Sequence, residues 1–232
     1  MSPRVRMTYS KRGRACFVPH IALPSVFSRS AARAGIVFQV TEGFSPRAKI
    51  SLGPELPVGV AALCEPLEVW LGAFGAEDLA RWNMALPEGF ALTGAEEVHG
   101  MPGTPGARAL SKWCEGSSCI FAPRQGCGDG EAFQECLRDL QGSGDVLYSA
   151  PFMEDGRHFI RCILPDPSRR GPGLLVRAFR EKGLVRGWQD LFFVREVVGR
   201  MVLPQNPGGI PEVLPLIPAF DGGVPAEEKI PG

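Results

Sequence analysis

The sequence contains no apolar run long enough to cross a bilayer and no secretory hydrophobic region, so a cytoplasmic, reduced protein without a membrane partner is expected. It has no phosphate-binding loop of nucleotide hydrolases, no dinucleotide fingerprint, no three-cysteine cluster motif and no Gly-x-Ser-x-Gly elbow. These absences argue against an enzyme acting alone with a complex cofactor and leave nothing to support a Ser-His-Asp centre. No cofactor and no metal are expected. Formal net charge is absent too, which rules out a chain that is basic throughout.

That zero is a cancellation. Lys and Arg outnumber Asp and Glu 9 to 1 over residues 1–50 and 10 to 6 over residues 151–200, whereas residues 51–100 hold 1 against 8. The basic residues of the first segment are Arg4, Arg6, Lys11, Arg12, Arg14, Arg29, Arg33, Arg47 and Lys49. Together they read as a surface for phosphate contacts or, equally, as a solvated face neutralised by the acidic stretch that follows. Seven cysteines is an odd count. Cys16, Cys64, Cys136 and Cys162 sit among apolar neighbours and read as core residues, while Cys114, Cys119 and Cys127 have spacings that match neither a zinc ribbon nor a radical-enzyme cluster.

Residues 41–59 stand out. Gly43, Gly53 and Gly59 alternate with Pro46, Pro54 and Pro57, and among them lie Phe44, Arg47, Lys49 and Ser51. Glycine supplies positive φ and proline fixes φ, so these six residues describe rigid, shaped loops on either side of one short strand at Lys49–Leu52. Arg47 and Lys49 are donors and Phe44 is a stacking surface, which suits an anionic ligand carrying bases, RNA first among them. A hairpin that only turns the chain, with Phe44 in the core, is the competing reading.

Periodicity yields β-α-β-β-α-β twice. Alternation over Arg4–Tyr9 is a half-buried strand, and Leu23, Val26, Phe27, Ala31 and Ala34 form a helix stripe opened by Pro24 and stopped by Gly35. Ile36–Val40 and Leu67–Leu71 read as strands, residues 79–86 as a helix ended by Pro87, and Phe90–Val98 as a strand. The second set has strands at Cys119–Phe121, Val146–Phe152, Phe159–Ile163 and Leu191–Val198, with helix stripes on Phe133, Cys136, Leu137 and Leu140 and on Leu175, Ala178 and Phe179. The expected fold is therefore α+β, with two tandem ferredoxin-like (split β-α-β) units whose antiparallel sheets each keep one face free for a ligand. The units span residues 1–98 and 113–203, joined by a Gly/Pro linker at 99–112 and followed by a Pro/Gly-rich flexible tail at 204–232, in which Val213–Ile217 is an apolar patch able to dock on a partner or on its own domain.

Several strings in this frame carry a resemblance: Arg4-Val5-Arg6, Gly13-Arg14, Phe17-Val18-Pro19-His20, Arg33-Ala34-Gly35, Gly43-Phe44-Ser45-Pro46, and Lys49 through Gly59. Over residues 4–95 the sequence resembles the radical SAM-linked family of uncharacterised bacterial domains, found fused to or encoded beside cobalamin-binding radical SAM enzymes. Beyond residue 110 only the order of elements and Arg195 are shared. The resemblance implies an accessory module for a radical SAM enzyme acting on rRNA or tRNA. Two positions depart from the family pattern: Ala22 stands where an acid usually follows the histidine, and Arg47 where a histidine usually follows Ser-Pro. Both changes remove proton-transfer groups while Arg47 keeps phosphate-binding capacity, so binding is favoured over catalysis.

The functional expectation is thus an RNA-binding accessory module, with Arg6, Arg14, Phe44, Arg47, Lys49 and Ser51 contacting RNA and a radical SAM enzyme as partner. Tandem split units with a glycine-rich loop are also similar to the endoribonucleases that trim CRISPR repeat RNA. In that reading His20 is a general base for a 2′-hydroxyl, with Arg14 or Lys49 stabilising the phosphorane and no metal needed. A third reading is a protein-docking module that never contacts RNA.

Overall fold

The structure is a computed structural model and describes residues 3–99, 104, 107–124, 126–127, 130–206 and 208–218. Among these, four helices and nine strands form an α+β fold around one mixed sheet. In chain order they are β1 (Arg4–Lys11), α1 (Leu23–Arg33), β2 (Ile50–Leu52), β3 (Ala61–Trp70), α2 (Asp78–Ala85), β4 (Phe90–Glu97), β5 (Gly116–Pro123), α3 (Gly130–Gly142), β6 (Tyr148–Glu154), β7 (Arg157–Pro165), α4 (Pro172–Glu181), β8 (Leu191–Val202) and β9 (Glu212–Pro215). No described helix is long and apolar enough to cross a membrane.

The strand order is β4-β1-β3-β8-β5-β7-β6, with β2 also on β3 and β9 also on β8. The sequence predicts two separate antiparallel sheets. Instead the halves fuse, because Ala61 and Ala62 of β3 pair in parallel with Val194 and Arg195 of β8, while the remaining named pairings are antiparallel.

The local chemistry follows the sequence. Pro24 lies in the first turn of α1, Leu23, Phe27 and Ala31 are its buried stripe, and Gly35 (φ 75°) closes it with Ile36 N–H donating to Ala31 O at 2.9 Å. Ser30 is a polar residue within that stripe, and its hydroxyl accepts from Trp82 Nε1 on α2 at 2.8 Å. Ile36–Val40, expected as a strand, makes only isolated bridges, at Phe38 to Leu71 and Val40 to Ala48.

Two apolar cores lie under the helices. Val5, Met7, Tyr9, Phe27, Leu67, Val69 and Trp82 centre the first, and Phe121, Phe133, Phe179 and Phe193 centre the second. Leu56, Val60 and Ala62, from the first half of the chain, are buried in the second core. The cores therefore interlock at the β3–β8 junction.

The opposite face of the first half of the sheet is covered rather than free. Arg4 donates to the Ala107 and Arg108 carbonyls at 3.0 and 2.9 Å, and Arg6 stacks on Trp113. Leu110, Cys114, Val198 and Leu216 cluster nearby, and the carbonyl of Pro218 lies so close to Gly94 that a Cβ there would meet it at 2.9 Å. The coverings are residues 107–112 of the expected linker, with Trp113 and Cys114 just beyond it, and residues 213–218 of the expected tail. Within that tail Glu212–Pro215 is the ninth strand, and Val213 and Ile217 are buried. The remainder of the tail, 219–232, lies outside the described residues.

Candidate functional site

The Gly/Pro-rich stretch splits into two structures leaving opposite ends of β2. The first is a small hairpin. Thr41 N–H donates to Arg47 O at 2.8 Å and Lys49 N–H to Gln39 O at 2.7 Å, bracketing the Val40–Ala48 bridge. The hairpin is anchored on the end of β3, where Trp70 N–H donates to Lys49 O and Trp70 O accepts from Gln39 N–H. Gly43 takes φ 115° at the tip, and the neighbouring Phe44 is fully exposed. Arg47 and Lys49 are exposed and have no ion pair or side-chain hydrogen bond among the described residues. The core alternative for Phe44 is thereby excluded. Pro46 stays at the tip, adjoining Arg47.

The second structure, residues 53–60, is a joint. Pro54 and Leu56 are buried, and Gly59 (φ 88°) donates its N–H to Cys16 O at 2.9 Å. Pro57 O accepts from Val60 N–H as the chain enters β3. From β8, Arg195 reaches into this loop. Its Nε and one terminal nitrogen each lie 2.6 Å from a Glu65 carboxylate oxygen, and its terminal nitrogens donate to the Pro54 and Glu55 carbonyls at 2.9 and 3.1 Å. Arg195 and Glu65 are 0% and 1% exposed, so the pair is desolvated and its charges require one another. Arg195 is a clamp that holds the loop on both halves.

His20, in a 3-10 turn at His20–Ala22, is half-buried beside this clamp. Its Nδ1 is buried with no hydrogen-bond partner among the described residues. Burial, reinforced by the Arg195 charge, holds the imidazole pKa below its usual value of 6.5, so His20 is neutral at pH 7. Lys11 is wholly buried nearby, donates to Val18 O at 3.0 Å, and has its pKa lowered by burial. Arg14 is exposed on the neighbouring 3-10 turn, Gly13–Phe17. A neutral imidazole beside buried cations can accept a proton, and it is less basic than one oriented by a carboxylate.

The remaining candidates lie elsewhere. Arg6 is 7% exposed and bonds Glu68 through two nitrogens at 2.8 and 2.5 Å, with Arg4 on the other carboxylate oxygen. It is a structural ion pair, and its guanidinium is not presented to solvent. Ser51 sits on β2 opposite that same Glu68, in the covered row rather than with Phe44. Of the nine N-terminal cations, Arg4, Arg6 and Lys11 are spent on the interior, Arg12 is half-buried, and Arg14, Arg29, Arg33, Arg47 and Lys49 are exposed. Cys114 and Cys119 are buried thiols pushed up to about 12 by desolvation, and among the described residues no three His, Cys, Asp or Glu side chains converge as metal ligands.

Sequence reasoning undervalued three charges: Lys11, Glu65 and Arg195. Each occupies the apolar phase of its strand, Lys11 with Val5, Met7 and Tyr9, Glu65 with Leu67 and Val69, and Arg195 with Leu191 and Phe193. That phase was the available signal for buried ionic groups.

Fold and site thus define an α+β protein with a mixed sheet, a clamped interior joint and an exposed basic hairpin. The chain belongs to a bacterial family described as uncharacterized protein conserved in bacteria (DUF2344), whose pattern matches residues 4–139. No curated protein is similar to it in sequence. Solved structures with a partly similar backbone include the archaeal box H/ACA sRNP Nop10-Cbf5 complex, at 10% identity over 84% of this chain and 47% of that chain with a TM-score of 0.44. An unknown protein from Galdieria sulphuraria matches at 11% identity, 84% of this chain and 99% of that chain, with a TM-score of 0.26. This chain spans about half the length of the Cbf5-complex chain. Likenesses of this size carry no functional meaning.

Proposed function

We propose that this protein is a cytoplasmic RNA-binding accessory module, acting with a cobalamin-type radical SAM enzyme in rRNA or tRNA modification or processing. One observation supports the RNA half of this reading above others. Arg14, Arg29, Arg47 and Lys49 are exposed and unpaired by any described carboxylate, Arg33 is exposed while donating to the Ala85 carbonyl at 2.7 Å, and a fully exposed Phe44 shares the hairpin with Arg47 and Lys49. Solvent-facing arginines and lysines attract phosphates, and an aromatic held free of the core stacks on bases. The radical SAM partner rests on the sequence resemblance over residues 4–95, above all the Gly43–Gly59 strings. In the same reading residues 1–98 and 113–203 are two split β-α-β units, β4-β1-β3-β2 and β8-β5-β7-β6, which the parallel β3–β8 contact and the Arg195 clamp hold as one body.

The test is binding of purified protein to total bacterial RNA, beside an Arg47→Ala/Lys49→Ala variant, with the bound RNA examined for cleavage. Bound, intact RNA that the variant loses is expected. Absence of binding by the native chain sinks the RNA reading and leaves protein docking.

The unpartnered Nδ1 of His20 favours a second reading, a metal-independent endoribonuclease. His20 would take the proton of a 2′-hydroxyl as that oxygen attacks phosphorus, with the 5′ oxygen leaving and taking up a proton, and exposed Arg14 facing the added charge. Cleavage abolished by His20→Ala with binding intact would establish it; intact RNA after long incubation would discard it.

A further inference from the structure

We propose that the 38–49 hairpin recognises unpaired RNA, reading one backbone with one face of the ribbon and one base with its tip; this deepens, and rests on, the RNA-binding reading. The register carries the argument. The paired hydrogen bonds around Val40 and Ala48 place Gln39 opposite Lys49 and Thr41 opposite Arg47. In an antiparallel ribbon directly opposed residues share a face, and successive residues alternate between faces. Gln39, Thr41, Arg47 and Lys49 therefore form one four-residue polar face, and Val40 and Ala48 form the other. Arg47 and Lys49, two residues apart on an extended strand, are separated by roughly 6.6 Å along it, a spacing suited to successive phosphates of a single strand.

The Thr41 hydroxyl accepts from the Arg47 backbone N–H at 3.1 Å, which holds the Thr41 side chain against the turn and leaves its O–H available to donate. Gln39 adds an amide to the same row. Neither residue is marked by charge or glycine content, so only the register identifies them.

Duplex RNA does not fit this device. Its deep, narrow major groove does not admit a β-ribbon, and its bases are already stacked, which leaves Phe44 without a partner. Unpaired RNA offers splayed bases whose faces accept an aromatic ring whatever their identity, so recognition is by strandedness rather than by sequence. Duplex DNA is the remaining rival, because its wider major groove accepts a two-stranded ribbon.

The experiment uses the full chain carrying Phe44→Trp, titrated with a 12-nucleotide unpaired RNA, the same sequence in an RNA duplex, and the corresponding duplex DNA. The native chain, with its own four tryptophans, is titrated alongside as the fluorescence background. The expected result is quenching, by unpaired RNA, of the emission that the Phe44→Trp substitution adds, with affinity for it at least about tenfold above that for either duplex. Phe44→Ala weakens binding of the unpaired RNA by roughly 5- to 150-fold. Gln39→Ala weakens it by roughly 3- to 10-fold, whereas Val40→Thr, on the other face of the ribbon, leaves it unchanged. Equal or tighter binding of either duplex, or equal effects of Gln39→Ala and Val40→Thr, overturns this inference while leaving RNA binding itself in place. Failure of every RNA to bind removes both.

Discussion

The hairpin at 38–49 and the joint at 53–60 share glycines, prolines and a neighbouring cation, yet one projects its side chains into water and the other is rooted in the interior through Pro54, Leu56 and Val60. Arg47 and Lys49 have no acidic partner among the described residues, whereas Arg195 is committed to Glu65 and two backbone carbonyls. Phe44 is bare, while Leu56 and Val60 vanish into the core of the other half. Glycine and proline shape a loop; what packs against it, supplied here by a strand 140 residues further on, decides whether the loop presents or binds together.

The sharpest way to break this contrast is at the clamp. Arg195→Ala leaves Glu65 buried and unpaired and strips the Pro54 and Glu55 carbonyls of donors, so a loss of about 3–5 kcal/mol is expected in denaturant unfolding. Arg47→Ala at the hairpin changes stability by no more than about 0.5 kcal/mol. A clamp variant that unfolds at the native midpoint would refute the joint.

Glycine substitutions sharpen the same comparison. A Cβ on Gly53 would meet Pro66 Cγ at 2.8 Å and its carbonyl at 3.1 Å, so Gly53→Ala is expected to cost about 1–3 kcal/mol through displacement of packed backbone. Gly43→Ala meets nothing within 4 Å and bears only the strain of positive φ, about 1–3 kcal/mol, confined to the tip. Both lower the melting temperature, and RNA affinity separates them: Gly43→Ala weakens binding and Gly53→Ala leaves the folded protein's affinity unchanged, whereas a shared RNA defect would merge the regions.

For RNA binding the contrast reverses. The Arg47→Ala/Lys49→Ala double variant is expected to lower the magnitude of the slope of log affinity against log salt by about 1.4, two phosphate contacts at roughly 0.7 each on single strands. A slope unchanged by the substitution would place the phosphates elsewhere.

The smallest effect concerns pH at His20. Its folded-state pKa lies below the unfolded 6.5, so between those two values the unfolded chain binds more protons and stability falls as pH drops. His20→Gln should flatten the stability profile in that window, and an imidazole resonance titrating below 6.5 in the native protein would confirm the sign. A midpoint above 6.5 would mean that the Glu55 and Glu65 carboxylates outweigh burial and the Arg195 charge.

Much of the fold is legible in the sequence. Apolar periodicity, with Pro24, Gly35 and Pro87, places all four helices and seven of the nine described strands, β3 and β5 extending beyond their apolar centres, but it puts a strand at Ile36–Val40 where only bridges form and reads β9 as tail. The fused sheet is not legible, because the parallel contact uses Ala61 and Ala62, small residues without a pattern of their own. Arg6 and Arg47 look equivalent in composition, and only pairing to Glu68 separates an interior ion pair from a free cation. The covering of the expected free face depends on Ala107, Leu110 and Ile217, which lie in Gly/Pro-rich stretches where periodicity is silent.

The central claim is that the hairpin, rather than the joint, meets RNA. Amide hydrogen exchange of the full chain with and without a short unpaired RNA tests it directly. The account predicts slowed exchange at residues 39–49 with residues 53–60 unchanged; protection of 53–60 and of the His20 turn, with the hairpin unaltered, would contradict it.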